Sequence, residues 1–100
     1  MAMVSSAGLV VRVPKAALTS SVLALSGDHT ISIFDATLYK GIKTIDTRHE
    51  QATVHMADAW ARDTRQSSVA VVTAGAGTTN AVPGMAVAFQ SASPLALIAS

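Results

Sequence analysis

Apolar residues along this chain alternate between short unbroken runs and longer stretches of helical spacing. Val22-Leu23-Ala24-Leu25 is a continuous apolar run closed by Ser26-Gly27-Asp28, the pattern of a strand buried on both faces that ends in a tight turn. Ile31 to Tyr39 follows with apolar residues at 31, 34, 38 and 39, which is helical spacing, and Lys40-Gly41 marks its end. Ile42 to Asp46 reads as a second strand. Glu50 to Arg62 reads as a helix of small residues, Ala52, Ala57, Ala59 and Ala61, with Val54, Met56 and Trp60 as its bulky apolar groups. Such a helix is expected to pack closely on more than one side, with Asp58 and Arg62 paired at i, i+4 on its wet face.

Thr64 to Ser68 is a polar loop, and Val69 to Val72 is a third apolar run. The turn Thr73-Ala74-Gly75-Ala76-Gly77-Thr78-Thr79 leads to a helix predicted to open at Asn80. Asn caps helices well, and Pro83 is tolerated in a first turn. That helix is expected to run to about residue 90 or 91, before Pro94, and Leu95 to Ala99 is a fourth strand. Upstream, residues 8–20 have a helix-like mix interrupted by Pro14, which makes any helix there short or kinked.

Strand, helix, strand, helix, strand, helix, strand describes an α/β fold: part of a doubly wound parallel sheet of about four strands with helices on both faces. Residues 1–21 are expected to form a leading segment with a short or kinked helix, and residues 22–100 the N-terminal part of the domain. The strand at residues 95–99 has no following crossover, so an open sheet edge and an uncovered face are expected. The turns after the second and third strands are expected to lie on neighbouring strands and to face one crevice, where open α/β sheets bind ligands. That directs attention to residues 50–80.

Composition narrows the options. With 100 residues the chain holds one domain at most, and with 50% hydrophobic and 13% charged residues it lacks polar cover rather than core material. A net charge of +1 and four aromatic residues offer neither a phosphate-binding stripe nor base-stacking platforms, so nucleic acid is not expected as a partner. The absence of cysteine excludes disulfides and thiolate nucleophiles and fits a cytoplasmic setting. The apolar opening, Met1 to Val11, is too short to span a bilayer and has its basic residues, Arg12 and Lys15, on the wrong side for a signal peptide.

Four groups carry candidate chemistry. Glu50, at a strand-to-helix junction, is placed either to exchange a proton in a crevice or simply to complement the helix dipole. The turn G-x-G-x-x-N from Gly75 to Asn80 exposes backbone N–H groups ahead of a helix, as phosphate cradles do, but lacks the third glycine of a dinucleotide fingerprint and the lysine of a P-loop. His49 and His55 stand six residues apart, on different helix faces, so no metal site is expected. His29, beyond the first strand, is either a turn residue or one that reaches substrate. No serine has the setting of a nucleophile elbow.

Taken together, Ile45-Asp46-Thr47-Arg48-His49-Glu50-Gln51-Ala52, His55 to Arg62, and Val71 to Val82 resemble the pyrimidine-binding domain of thiamine-diphosphate enzymes of the acetohydroxyacid synthase, benzaldehyde lyase and oxalyl-CoA decarboxylase superfamily. The resemblance covers residues 22–100 and implies the thiamin-diphosphate-binding fold. It implies that Glu50 contacts N1′ of the cofactor's aminopyrimidine as the activating, catalytic carboxylate. Thr73, Gly75, Gly77 and Asn80 would line the cofactor site, and His29 would be a substrate-side residue. The family's proline in the glycine turn is Ala76 here.

The resemblance further implies a carbonyl substrate such as a 2-oxo acid, and Mg2+ with the diphosphate bound by a domain absent from this chain. FAD occurs in relatives, but its site is not in this segment. The partner expected is a second copy, or the diphosphate-binding domain of another subunit. On this reading the chain is a fragment, inactive alone. The alternatives are a non-catalytic module that associates with full-length relatives and an independent nucleotide binder at the Gly75 turn.

Overall fold

The computed structural model describes residues 21–25, 27, 33 and 41–99. Its elements are β1 (Ser21–Ala24), β2 (Lys43–Asp46), α1 (Glu50–Thr64), β3 (Ser68–Val72), α2 (Ala76–Gln90) and β4 (Leu95–Ala99). The four strands form one parallel sheet in the order β2-β1-β3-β4. In register, Ala24 stands beside Asp46 on one side and Val71 on the other, and Ser68 to Val72 run alongside Leu95 to Ala99. The helix expected over residues 31–39 lies outside the described residues apart from Ile33, which is helical, and so does the segment before Ser21. Gly41 has φ of 70°, the left-handed conformation expected of a residue that stops a helix.

The strand order explains which face each connection covers. Going from β2 to β3 crosses over β1, and going from β3 to β4 continues in the same direction, so right-handed crossovers put α1 and α2 on one face. There Leu23, Ala70 and Val72 pack with Val54 and Ala57 of α1 and Ala81 of α2. The β1-to-β2 connection runs the opposite way, and Ile33 packs on the opposite face with Val22, Ala24, Ile42, Val69 and Val71. Both faces of the centre are therefore covered, as the fully buried β1 and β3 require. The edges differ: β2 and β4 are only partly buried, so the expectation that each strand is buried on both faces holds for the two central ones.

Three sequence expectations are corrected. The strands before Glu50 and before the glycine turn are not neighbours, because β1 lies between them. The last helix opens at Ala76 rather than at Asn80, capped by Gly75 at φ of 79° with no side-chain cap. Asn80 thus lies in its second turn, and Pro83 lies inside the helix, where its ring cannot donate to the carbonyl of residue 79. Nor does the whole Asp58–Arg62 pair sit on a wet face, for only Arg62 is exposed. Asp58 is buried, and its carboxylate accepts from Arg62 Nε at 3.0 Å, from Arg62 Nη2 at 2.7 Å and from Ser93 Oγ. Arg62 also donates to Ser91 Oγ at 2.6 Å, so the pair ties α1 to the turn between α2 and β4.

The small residues of α1 serve two contacts rather than surrounding it. Ala57 and Ala61 are buried, while Ala52 and Ala59 are exposed. Opposite them, α2 buries its own small stripe, Gly77, Ala81, Gly84 and Ala88. A Cβ on Gly84 would stand 2.7 Å from Val54 Cβ, so the two helices touch backbone against side chain. Gly84→Ala gains about 1 kcal/mol of helix propensity but meets overpacking of about 1–3 kcal/mol. Urea denaturation is expected to show a net loss that Val54→Ala in the same chain partly restores, with a coupling of at least about 0.5 kcal/mol between the two sites.

The hydrogen bonds from Arg62 and Ser93 hold the Asp58 carboxyl below its ordinary value, against the opposing effect of burial. Because the unfolded chain then binds this proton more readily, the stabilisation is complete above the unfolded value of about 4 and is lost as pH falls through the lower folded value. Thermal unfolding between pH 6 and pH 2 is expected to show the melting temperature of Asp58→Asn falling less steeply than that of the parent at the acid end. Arg62→Met, which leaves a buried carboxylate with fewer donors, is expected to cost about 1–3 kcal/mol at neutral pH.

Candidate functional site

The direction of the connections reverses between β1 and β3, and the crevice of an open α/β sheet forms beyond the carboxyl ends of such strands. Four chain segments meet there. β1 continues through Leu25, whose N–H donates to Val71 O at 3.2 Å, toward Gly27. β3 delivers Thr73 and the Gly75 turn, β2 leads into α1, and α2 rises from the turn.

Glu50 is the first residue of α1 and is half-buried. The residue before it, His49, is the N-cap: its backbone is extended, and its Nδ1 accepts from the N–H of Gln51 at 3.0 Å. The helix start is thus capped without the Glu50 carboxylate, which is left to reach across the crevice. Its Oε2 accepts from Asn80 Nδ2 at 3.3 Å, and its Oε1 lies 3.3 Å from where a Cβ on Gly77 would stand. The carboxylate therefore rests on the first turn of α2, where unpaired N–H groups favour negative charge.

Thr73 is wedged between two glycines. A Cβ on Gly27 would come within 2.6 Å of Thr73 Cβ, and one on Gly77 within 2.9 Å of Thr73 Cγ2. Those distances leave no room for a side chain at either position without displacing the threonine or, at Gly77, the carboxylate. Gly75 has a different task. No heavy atom lies within 4 Å of its would-be Cβ, and its positive φ turns the chain from β3 into α2. Thr78 Oγ1 closes that turn by donating to Thr73 O at 3.1 Å.

Of the residues singled out from the sequence, Glu50, Thr73, Gly77 and Asn80 converge, Gly75 shapes the turn beneath them, and His29 lies outside the described residues. His55 points elsewhere, its Nε2 lying 3.3 Å from Gln51 Nε2. The geometry also weighs against a nucleotide at the Gly75 turn, since a carboxylate already occupies the anion-favouring end of α2. A separate groove of about 450 Å³, lined by Leu23, Ile45, Met56, Ala59, Trp60 and Asp63, is almost entirely apolar and offers no convergent polar groups.

Three contributors escaped the sequence reading. Gly27 reads from the sequence as a turn residue, although a glycine just past a buried strand is also the available signal for close backbone approach. Thr47 and Thr53 are both buried and share a short hydrogen bond beneath the start of α1. Nothing in their six-residue spacing announces that contact, which depends on where β2 hands over to the helix.

Comparison with known proteins agrees with this geometry. Over 90 residues the chain is 44% identical to the acetolactate synthase large subunit of Mycobacterium tuberculosis, covering 90% of this chain and 16% of that protein. It is 40% identical over 99 residues to the acetolactate synthase isozyme 3 large subunit of Escherichia coli, covering 98% of this chain and 17% of that one. It is 43% identical over 90 residues to 2-hydroxyacyl-CoA lyase 2 of Caenorhabditis elegans, covering 90% and 14%. The chain thus spans about a sixth of the length of these curated relatives. An X-ray structure from Mycobacterium smegmatis, assigned to the thiamin diphosphate-dependent enzymes, superposes with a TM-score of 0.84 at 18% identity, covering 97% of this chain and 19% of that one, and shares its fold. With the sequence model matched over residues 5–100, the chain belongs to the family of N-terminal TPP binding domains of thiamine pyrophosphate enzymes.

Proposed function

We propose that this chain supplies the pyrimidine side of a thiamine-diphosphate site in an acetolactate synthase-like lyase or transferase, with Glu50 as the carboxylate that meets the aminopyrimidine. The observation that carries the reading is the convergence of Glu50, Asn80 and Gly77 at the switch point of the sheet. The cofactor when bound supplies a carbanion nucleophile and an electron sink for carbonyl chemistry.

The donor set fits a flat, nitrogen-bearing ring. Gly77 and Gly27, bare of side chains, let Thr73 seat between them and let the Glu50 carboxylate lie against Gly77. Asn80 orients the carboxylate through Oε2, which leaves Oε1, on the Gly77 side, to share a proton with a ring nitrogen. A carboxylate already oriented by Asn80 and held at a helix N-terminus loses little freedom on meeting such a partner. Gly75 holds the turn that places α2 for this contact.

The remaining parts of the reading lie outside the described residues or the chain. His29 is the substrate-side candidate, and the substrate is a 2-oxo acid or related carbonyl compound. The diphosphate and its Mg2+ are carried by another domain or a second subunit, and any flavin is bound elsewhere. The outer face of α2 supports the need for a partner: Val82, Val87 and Phe89 are exposed, Phe89 at 88%. No described helix is long and apolar enough to cross a membrane, and the lack of cysteine supports a reducing, cytoplasmic setting.

Titration of the 15N-labelled chain with thiamine diphosphate at millimolar concentration is expected to shift the amide signals of Gly77 and Asn80. Glu50→Gln, which keeps the shape but cannot accept a proton in the same way, is expected to weaken that binding about tenfold or more, the worth of a charge-assisted hydrogen bond. Equal affinity of parent and variant, or shifts confined to the Trp60 groove, would show that Glu50 has no such role.

A further inference from the structure

We infer that Thr47 and Thr53 are positioning residues for Glu50: a buried pair of hydroxyls that locks the start of α1 to the end of β1 and so holds the carboxylate over Gly77. The inference rests on the role proposed for Glu50, but its geometry is independent of it. Thr47 N–H donates to Ala24 O at 2.9 Å, extending the ladder between β1 and β2 by one residue. Thr47 Oγ1 lies 3.3 Å from the same carbonyl and 3.4 Å from His49 O, and it shares a short hydrogen bond with Thr53 Oγ1. Thr53 Oγ1 in turn lies 3.2 Å from His49 O, which also accepts the Thr53 N–H at 3.0 Å.

Two hydroxyl protons serve these contacts. One lies between the two oxygens, and the other reaches either Ala24 O or His49 O, so the pair forms a short relay that points toward the sheet or toward the helix. In either direction no hydroxyl is left without a partner, which is the condition for keeping such groups at 6% and 0% exposure. His49 O belongs to the peptide bond whose nitrogen is that of Glu50. Holding this carbonyl therefore fixes the backbone from which the carboxylate projects.

The far side of the crevice closes the circuit. From Ala24 the chain runs three residues to Gly27, which packs on Thr73; Thr73 packs on Gly77, and Gly77 lies under Glu50. Glu50 is thus held at its side chain by Gly77 and Asn80 and at its backbone by the threonine pair. An apolar pair of the same size would fill the same space but leave the His49 carbonyl held by the Thr53 N–H alone, with more freedom to tilt. A helix N-terminus that tilts carries the carboxylate away from Asn80.

The test compares Thr47→Val/Thr53→Val with the parent and with Thr53→Ser, which keeps the hydroxyl. Removing both hydroxyls together leaves no buried donor unpaired, so the double variant is expected to fold with nearly unchanged melting temperature. The readout is hydrogen exchange and chemical shift of the Asn80 side-chain amide, which reports its bond to Glu50. In the double variant exchange is expected to rise about tenfold, as for loss of a bond worth about 1.4 kcal/mol, with Thr53→Ser close to the parent. An unchanged Asn80 signal in the double variant, whatever its stability, would overturn the inference. Should the double variant fail to fold, Thr53→Val alone decides by the same signal. The thiamine diphosphate titration of Glu50→Gln is read separately: equal binding there removes the cofactor role of Glu50, while the Asn80 signal still decides whether the threonines place it.

Discussion

The candidate site depends on one steric fact: residue 77 has no side chain. The Glu50 carboxylate and the Thr73 methyl both occupy space that a Cβ at that position would take, 3.3 Å and 2.9 Å from its centre. With any other residue there, either the threonine turns and loses its seat against Gly27, or the carboxylate swings off the helix and loses Asn80. The absence of a single carbon thus lets three segments of chain, from the end of β3, α1 and α2, approach at the reversal point of the sheet. Glycine in the first turn of a helix lowers helix propensity by about 1 kcal/mol relative to alanine, and the site is what that cost permits.

The same logic joins the two ends of α1. At its start, threonine hydroxyls and the His49 cap fix the backbone. Toward its end, the buried Asp58 carboxylate collects Arg62 and Ser93, while Arg62 reaches Ser91. Midway, Val54 meets the bare backbone of Gly84. These contacts stop the helix from sliding along α2 or rotating on the sheet. The carboxylate at its first residue inherits that rigidity.

Much of this was legible from the residues. The runs of β1 and β3 announce buried parallel strands, because a segment covered on both faces has no reason to alternate, whereas the equally unbroken run of β4 lies at an edge and is only partly buried. The strand order did not follow from the pattern: β1 separates β2 from β3, and nothing in the runs distinguishes a strand that pairs with its sequence neighbour from one that is crossed over. The start of α2 differs from the expected one for a physical reason. Asn80 and Pro83 carry the usual marks of a helix opening, but the unmarked Gly75-Ala76 begins it, with positive φ at Gly75 doing what a capping side chain does elsewhere. Glu50, Thr73, Gly77 and Asn80 were legible because a motif joins them. Thr47 and Thr53 were not, since their contact arises only when the sheet and the helix are assembled. The i, i+4 spacing of Asp58 and Arg62 reports the pair but not the turn whose Ser93 closes over Asp58.

The charge distribution gives the site a particular address. All thirteen charged residues precede residue 66, and the remaining 35 positions, which include β3, α2 and β4, carry none and no histidine. Glu50 belongs to the charged part and Asn80 to the uncharged part, so their hydrogen bond spans the boundary between them. On the charged side the sheet edge β2 carries Lys43 and Asp46, which discourage pairing with a further strand, whereas β4 at the other edge has neither charge nor proline. A helix as apolar on its outer face as α2, beside such an edge, is a surface whose exposure to water is costly over its whole length. The Glu50 carboxylate itself is held by this chain's own Asn80 and Gly77, one on each of its oxygens.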